Sequence, residues 1–186
     1  MIFGDHEDFA IEAGIEPMLP SDGRVWGHAC VWCEGTAIGD LGNRFCSLHH
    51  MWAQFYWLSE NLDSLWEQEF TGMGDLALWN FLDGLLYGYH GPIELPDNRT
   101  LEECRRDAQR WGRFNFLTNW GEQFDGNKSF ILRPPGNIVW ILSRDRANNR
   151  YSWHVPYTTF LTATRDFVLW YEQECSKLGV PCDGLS

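Results

Sequence analysis

Long apolar runs are missing from this 186-residue chain. No stretch approaches the roughly 18 apolar residues that a membrane helix needs. The first residues, MIFGDHEDFAIE, lack a basic region followed by an apolar run, so no secretory signal is expected and the expectation is a cytoplasmic protein. Without export, the six cysteines are expected as free thiols rather than disulfides. No GxGxxG loop occurs, nor a GxxxxGK loop followed by Ser or Thr, which removes the common phosphate-cradling motifs. Internal repeats and low-complexity linkers are also absent.

Basic residues are scarce where acids are dense. Residues 1–103 hold 3 Lys and Arg against 18 Asp and Glu, a net of −15, whereas residues 104–186 net +3. The chain as a whole carries −12. Phosphate contacts need a basic footprint, so a nucleic-acid binder is not expected. A basic protein partner would suit this charge, because complementary fields speed encounter. The same acidity would also keep soluble a chain with 11 Trp and 12 Phe. With 44% hydrophobic and 22% charged residues the composition is that of a folded globule, and the length fits one domain over residues 1–186.

Patterning gives the elements. Phe9, Ile11 and Ala13 alternate with Ala10 and Glu12, predicting a strand from Phe3 to Ile15. Turn signals follow at Glu16-Pro17 and from Pro20 to Gly23. Val25–Trp32 and Thr36–Asp40 read as a hairpin about Glu34-Gly35. Ser47 opens a long helix that ends near Phe70. A second helix spans Asp75–Tyr87, with Asp75 as its cap, and stops in a loop from Gly88 to Pro92. Thr100 and Glu103 form a capping box for a third helix to Trp111, with Leu101, Cys104, Ala108 and Trp111 inward. Residues 129–133, 138–143 and 151–155 read as a three-strand meander. Thr158 or Thr159 then caps a last helix that Gly179 terminates. Strands grouped apart from helices indicate α+β: a mainly antiparallel sheet packed on about four helices.

The hairpin carries the sharpest chemical signal. Cys30 and Cys33 are followed, twelve residues on, by Cys46 and His49. Two short-spaced pairs at that separation fit a closed, structural Cys3His zinc site. The alternative is ordinary: Cys30 and Cys33 as small apolar strand residues and His49 as helix surface. On that alternative no metal and no cofactor is bound. A zinc-stabilised regulatory or adaptor protein, and a hydrolase using His49 and His50 with nearby carboxylates, are the rival functional classes. No nucleophile, base and carboxylate recur at a recognisable spacing, so no catalytic residue is assigned and an enzyme is not expected.

Binding residues are sought on the long helix. Leu48, Met51, Trp52, Phe55, Leu58, Leu62, Leu65 and Trp66 fall on one apolar arc. His49, Tyr56, Glu60, Asp63 and Glu67 form a stripe on an adjacent face, either a solvated surface or an electrostatic docking face. Trp57 lies off the apolar arc, packed under another element or exposed as an anchor. Tyr56, Trp57, Glu60, Asp63 and Glu67 are therefore the candidate partner-binding residues. The oligomeric state stays open at this level.

The segments FGDHEDFAIEAGIEP, WGHACVWCEGTAIGDL, ENLDSLWEQEFTG, LWNFLDGLLYG and RFNFLTNWGEQFD together resemble the immunity protein 42 family of bacterial polymorphic-toxin systems. The resemblance covers nearly the whole chain. His6 stands where the family pattern has proline, and Cys33 lies outside that pattern. The resemblance implies a cytoplasmic protein made beside a secreted toxin. It would bind the cognate toxic domain and neutralise it as a stoichiometric inhibitor, and the acidity of the chain favours a basic domain, a nuclease for example.

Overall fold

Side-chain alternation shapes the first sheet. In β2 (Phe9–Ile15), Phe9, Ile11 and Ala13 are fully buried while Glu12 is half-covered. The single strand expected from Phe3 to Ile15 is two strands: β1 (Ile2–Asp5) folds back antiparallel onto β2 through His6–Asp8. Gly4 permits the close approach. It has φ +100°, and a Cβ there would lie 2.2 Å from Phe9 O and 3.1 Å from Ala163 Cβ.

The computed structural model describes residues 1–16, 25–40, 42, 46–88, 98–118 and 121–182. The turns expected between 17 and 24 and most of the loop expected at 88–92 lie outside them. β3 (Trp26–Cys33) pairs antiparallel with β2, and β4 (Thr36–Ile38) returns along β3. Glu34 and Gly35 both take positive φ, 47° and 74°, the backbone of a two-residue hairpin turn. The two-residue β5 (Cys46–Ser47) also pairs with β3. The second sheet is the expected meander: β6 (Lys128–Leu132), β7 (Ile138–Arg144) and β8 (Arg150–Pro156), all antiparallel.

Among the described residues, four α-helices complete the fold: α1 (Leu48–Asn61), α2 (Asp75–Tyr87), α3 (Leu101–Trp111) and α4 (Tyr157–Leu178). Helices α1 and α4 lie together against the first sheet. Phe55 of α1 meets Phe167 of α4 at 5.5 Å and Phe116 at 5.9 Å, while Phe9 meets Phe160 at 4.6 Å. Helix α2 covers the second sheet, with Trp79 at 4.9 Å from Phe130. One buried apolar cluster runs through both sheets, and each fully buried Phe in it stabilises the fold by about 1.5–3 kcal/mol. The α+β class with mainly antiparallel sheets and four helices is as expected.

Four local expectations need correcting. Helix α1 ends at Asn61, not near Phe70. A 3-10 turn (Leu62–Ser64), an extended link and a second 3-10 turn (Gln68–Phe70) follow. The apolar arc continued past Asn61 because 3-10 turns also bury every third residue, here Leu62 and Leu65. In α3 the capping box forms as expected. Its inward face does not: Leu101 is 68% exposed, Ala108 is exposed and only Trp111 is buried. The cap of α4 is Pro156, not Thr158 or Thr159, and Asp75 is the first residue of α2 behind a Gly74 cap.

Candidate partner-binding surface

Helix α1 presents its outer side because Leu48, Met51, Phe55 and Leu58 are spent on the core. Tyr56 stands 50% exposed and Trp57 37% exposed. These are large apolar surfaces left in water, the residue types that anchor interfaces. Trp57, read as either packed or exposed, belongs to the exposed class. Tyr56 heads an aromatic row: its ring lies 5.5 Å from Trp52, which lies 5.7 Å from Tyr171 and 5.3 Å from His49. The Trp52 indole Nε1 donates to Glu172 Oε1 at 3.4 Å. This row holds His49 among rings.

The acidic candidates divide. Glu60 is exposed and its carboxylate accepts only a long bond from Ser59 Oγ, at 3.4 Å. Asp63 sits on the 3-10 turn with its side chain 79% exposed, 3.6 Å from Arg133 Nε. Glu67 lies in the extended link and is ion-paired to Arg113, its side chain 27% exposed. Glu69 is ion-paired to Arg110. Its carboxyl is held below the usual value of 4.5, first by its own backbone amide and then by Arg110. Each of these three arginines also covers a ring: Arg133 over Tyr157, Arg113 over Phe114 and Arg110 over Trp111. The row Asp63, Glu67, Glu69 therefore stitches the link after α1 to β6 and to the end of α3. Tyr56, Trp57, Glu60 and Asp63 share an open surface, whereas Glu67 is drawn inward.

Sequence reasoning missed Glu172 and Tyr171, which α4 brings to Trp52 on the α1 surface, Glu172 from 120 residues away. The helical spacing of α4 places Tyr171 on its inner face, but the pairing of α4 with α1 is a tertiary fact. The arginine partners were equally hidden, since sequence distance separates Arg113 from Glu67 by 46 positions.

The zinc alternative fails on strand geometry. Cys30 and Cys33 are three residues apart in an extended strand, so they point to opposite faces. Cys30 faces Glu12, 4.0 Å from its Oε2, whereas Cys33 belongs to the core. Burial and then the Glu12 charge push the Cys30 thiol up to about 12, and burial raises Cys33 well above its usual value. Among the described residues no three His, Cys, Asp or Glu converge as a metal site. The side chain of Cys46 lies outside the described set.

Two antiparallel sheets packed with four helices among the described residues define an α+β protein. The chain belongs to the immunity protein 42 family, whose profile matches residues 1–168, and it is an immunity protein. In fold it is similar to the solved structure of CdiI from Burkholderia dolosa AUO158, with a TM-score of 0.62 and 11% identity over 91% of this chain and 99% of that one. No curated protein gives a match. No helix among the described residues is long and apolar enough to cross a membrane.

Proposed function

We propose that this immunity protein acts in the cytoplasm, where it binds the toxic domain of a cognate secreted toxin in equal amounts and blocks it without chemistry of its own. Membership of the immunity protein 42 family carries this reading. The exposed Tyr56 and Trp57 beside Glu60 and Asp63 support α1 as the docking surface. Aromatic anchors ringed by charge provide affinity at the centre and steering at the rim. The net charge of −12 favours a basic toxin domain, such as a nuclease.

Co-expression tests it. The toxin domain encoded beside this chain, produced in a bacterial host, should stop growth alone and be harmless when this chain is co-produced. Growth arrest that persists with the chain well expressed would sink the proposal.

A further inference from the structure

The outer face of the first sheet carries rings around one carboxylate. Helices α1 and α4 pack on the other face, where Phe9 and Ile11 join the core. On the outer face β3 places Trp26, His28, Cys30 and Trp32 at alternate positions, and β2 answers with Ala10, Glu12 and Gly14. The small residues make room for the rings: a Cβ at Gly14 would sit 2.4 Å from the His28 ring. Trp32 reaches across to Glu12, its Nε1 donating to Oε2 at 3.0 Å. The His6 ring stacks on Trp32, with centres 4.3 Å apart.

The contacts of Glu12 converge on one oxygen. Oε2 accepts from Trp32 and lies 3.8 Å from His6 Nε2 and 4.0 Å from Cys30 Sγ. Among the described residues Oε1 has no such partner, and with the side chain 26% exposed it is open to solvent. A carboxylate oxygen held open beside an indole ring fits the cation of a lysine or arginine, whose aliphatic stem can lie along the ring. The fold supplies no such cation. The five strands of the first sheet contain no Lys or Arg. The Met1 amine donates to the Ala13 carbonyl instead, and His6 is a titratable ring rather than a fixed charge.

Charge around this face selects its occupant. Glu7, Asp8 and Glu34 are exposed on the two turns at the Phe9 and Cys33 end of the sheet. Those turns are fastened together: Glu34 N donates to Asp8 O at 3.0 Å and Gly35 N to His6 O at 2.7 Å. Among the described residues no Lys or Arg lies within ion-pair reach of these three carboxylates. A second copy of the chain would bring the same acids against them, and a nucleic acid or an anionic lipid surface would be repelled in the same way. A basic protein segment would be attracted. Phe160 meets Phe9 at 4.6 Å and Phe55 at 6.4 Å, so the later half of α1, with Tyr56, Trp57 and Glu60, lies toward this same end. One partner can therefore reach both surfaces.

We infer that the outer face of the first sheet docks a lysine or arginine of the toxin domain, its cation on Glu12 Oε1 and its stem along Trp32, with Glu7, Asp8 and Glu34 drawing in the basic segment that bears it. The inference rests on the toxin-binding reading above.

The test is the affinity of the purified toxin domain for the intact chain carrying Glu12→Gln. Glutamine keeps an acceptor for Trp32 Nε1, so the unfolding midpoint should hold. The expected result is a Kd at least about tenfold weaker than wild type. A second variant, Glu7→Lys with Glu34→Lys, changes only exposed side chains and should slow association at low salt, with the gap closing as salt rises. Wild-type affinity in Glu12→Gln would overturn the inference and leave the immunity reading standing. If Glu12→Gln unfolds early, the second variant decides, and an unchanged association rate in it overturns the inference. Failure of the wild-type chain to bind the toxin domain would overturn both readings. A chain that sediments as a dimer, the dimer lost in Glu12→Gln while toxin affinity holds, would overturn the inference in favour of a second copy.

Discussion

The carboxylate of Glu67 is gripped by the guanidinium of Arg113, whose own plane lies 4.7 Å from the centre of the Phe114 ring. This pair spans 46 residues of sequence and closes the link after α1 against the end of α3. Glu67 thus serves the fold. Glu67→Gln leaves Arg113 partly buried without its counter-charge and should lower unfolding free energy by about 1 kcal/mol in urea titration. Glu60→Gln, on the open side, should stay within about 0.5 kcal/mol of wild type. Equal effects from the two would refute this division.

Trp57→Ala and Tyr56→Ala should behave in the opposite way. Neither residue fills the core, so unfolding midpoints should hold. Each change should weaken toxin binding by about tenfold or more, as loss of an aromatic anchor does. Calorimetric Kd values at the wild-type level in both variants would remove α1 from the interface. Reversal of Glu60 and Asp63 to lysine should slow association and flatten its salt dependence.

Thiol labelling separates the cysteines. Cys30, Cys33 and Cys175 are buried, and burial keeps Cys30 and Cys33 protonated. In native buffer at neutral pH a thiol reagent should modify the half-covered Cys104 and Cys182 while these three react only on unfolding. A chelator should leave the melting temperature unchanged. Rapid native labelling of Cys30, or melting lowered by chelator, would contradict the strand geometry.

Acid should weaken the fold through specific carboxyls. Glu103 is held below 4.5, first by the Thr100 amide it accepts from, and Asp145 below 3.8, first by the Asn149 side chain. Folding therefore favours their charged forms. That contribution is complete above the ordinary values and is lost as pH falls through the depressed ones. Acidification toward the sequence pI of about 4.8 also relieves self-repulsion, which works against the loss. The clean reading is the difference between wild type and Glu103→Gln. Their stability gap should be full at pH 7 and shrink as pH falls below 4.5; a gap constant with pH would be the contrary result.

Much of the fold could be read from local signals. The Glu34-Gly35 turn, the Thr100 and Glu103 box and the Gly179 stop each satisfy backbone demands within a few residues. The β1–β2 turn was missed because His6–Asp8 contains neither Gly nor Pro. The end of α1 was missed because apolar spacing survives the change to 3-10 geometry. Exposure of Tyr56 was legible as departure from the apolar arc, whereas Trp57 stayed open between packed and exposed until α1 was placed. The commitment of Glu67 to Arg113 was not legible, since it depends on how α3 docks. The Cys30 and Cys33 spacing left zinc as an alternative to apolar strand residues, and geometry separates the two: a three-residue step closes a knuckle in a turn but divides across an extended strand.

Titration of the purified toxin domain with this chain, scored by residual toxin activity, addresses the central claim most directly. A stoichiometric inhibitor predicts a straight fall to zero at one equivalent, with a 1:1 complex recovered by gel filtration. Full inactivation at a small fraction of an equivalent would mark catalysis, and activity persisting in excess chain would deny inhibition.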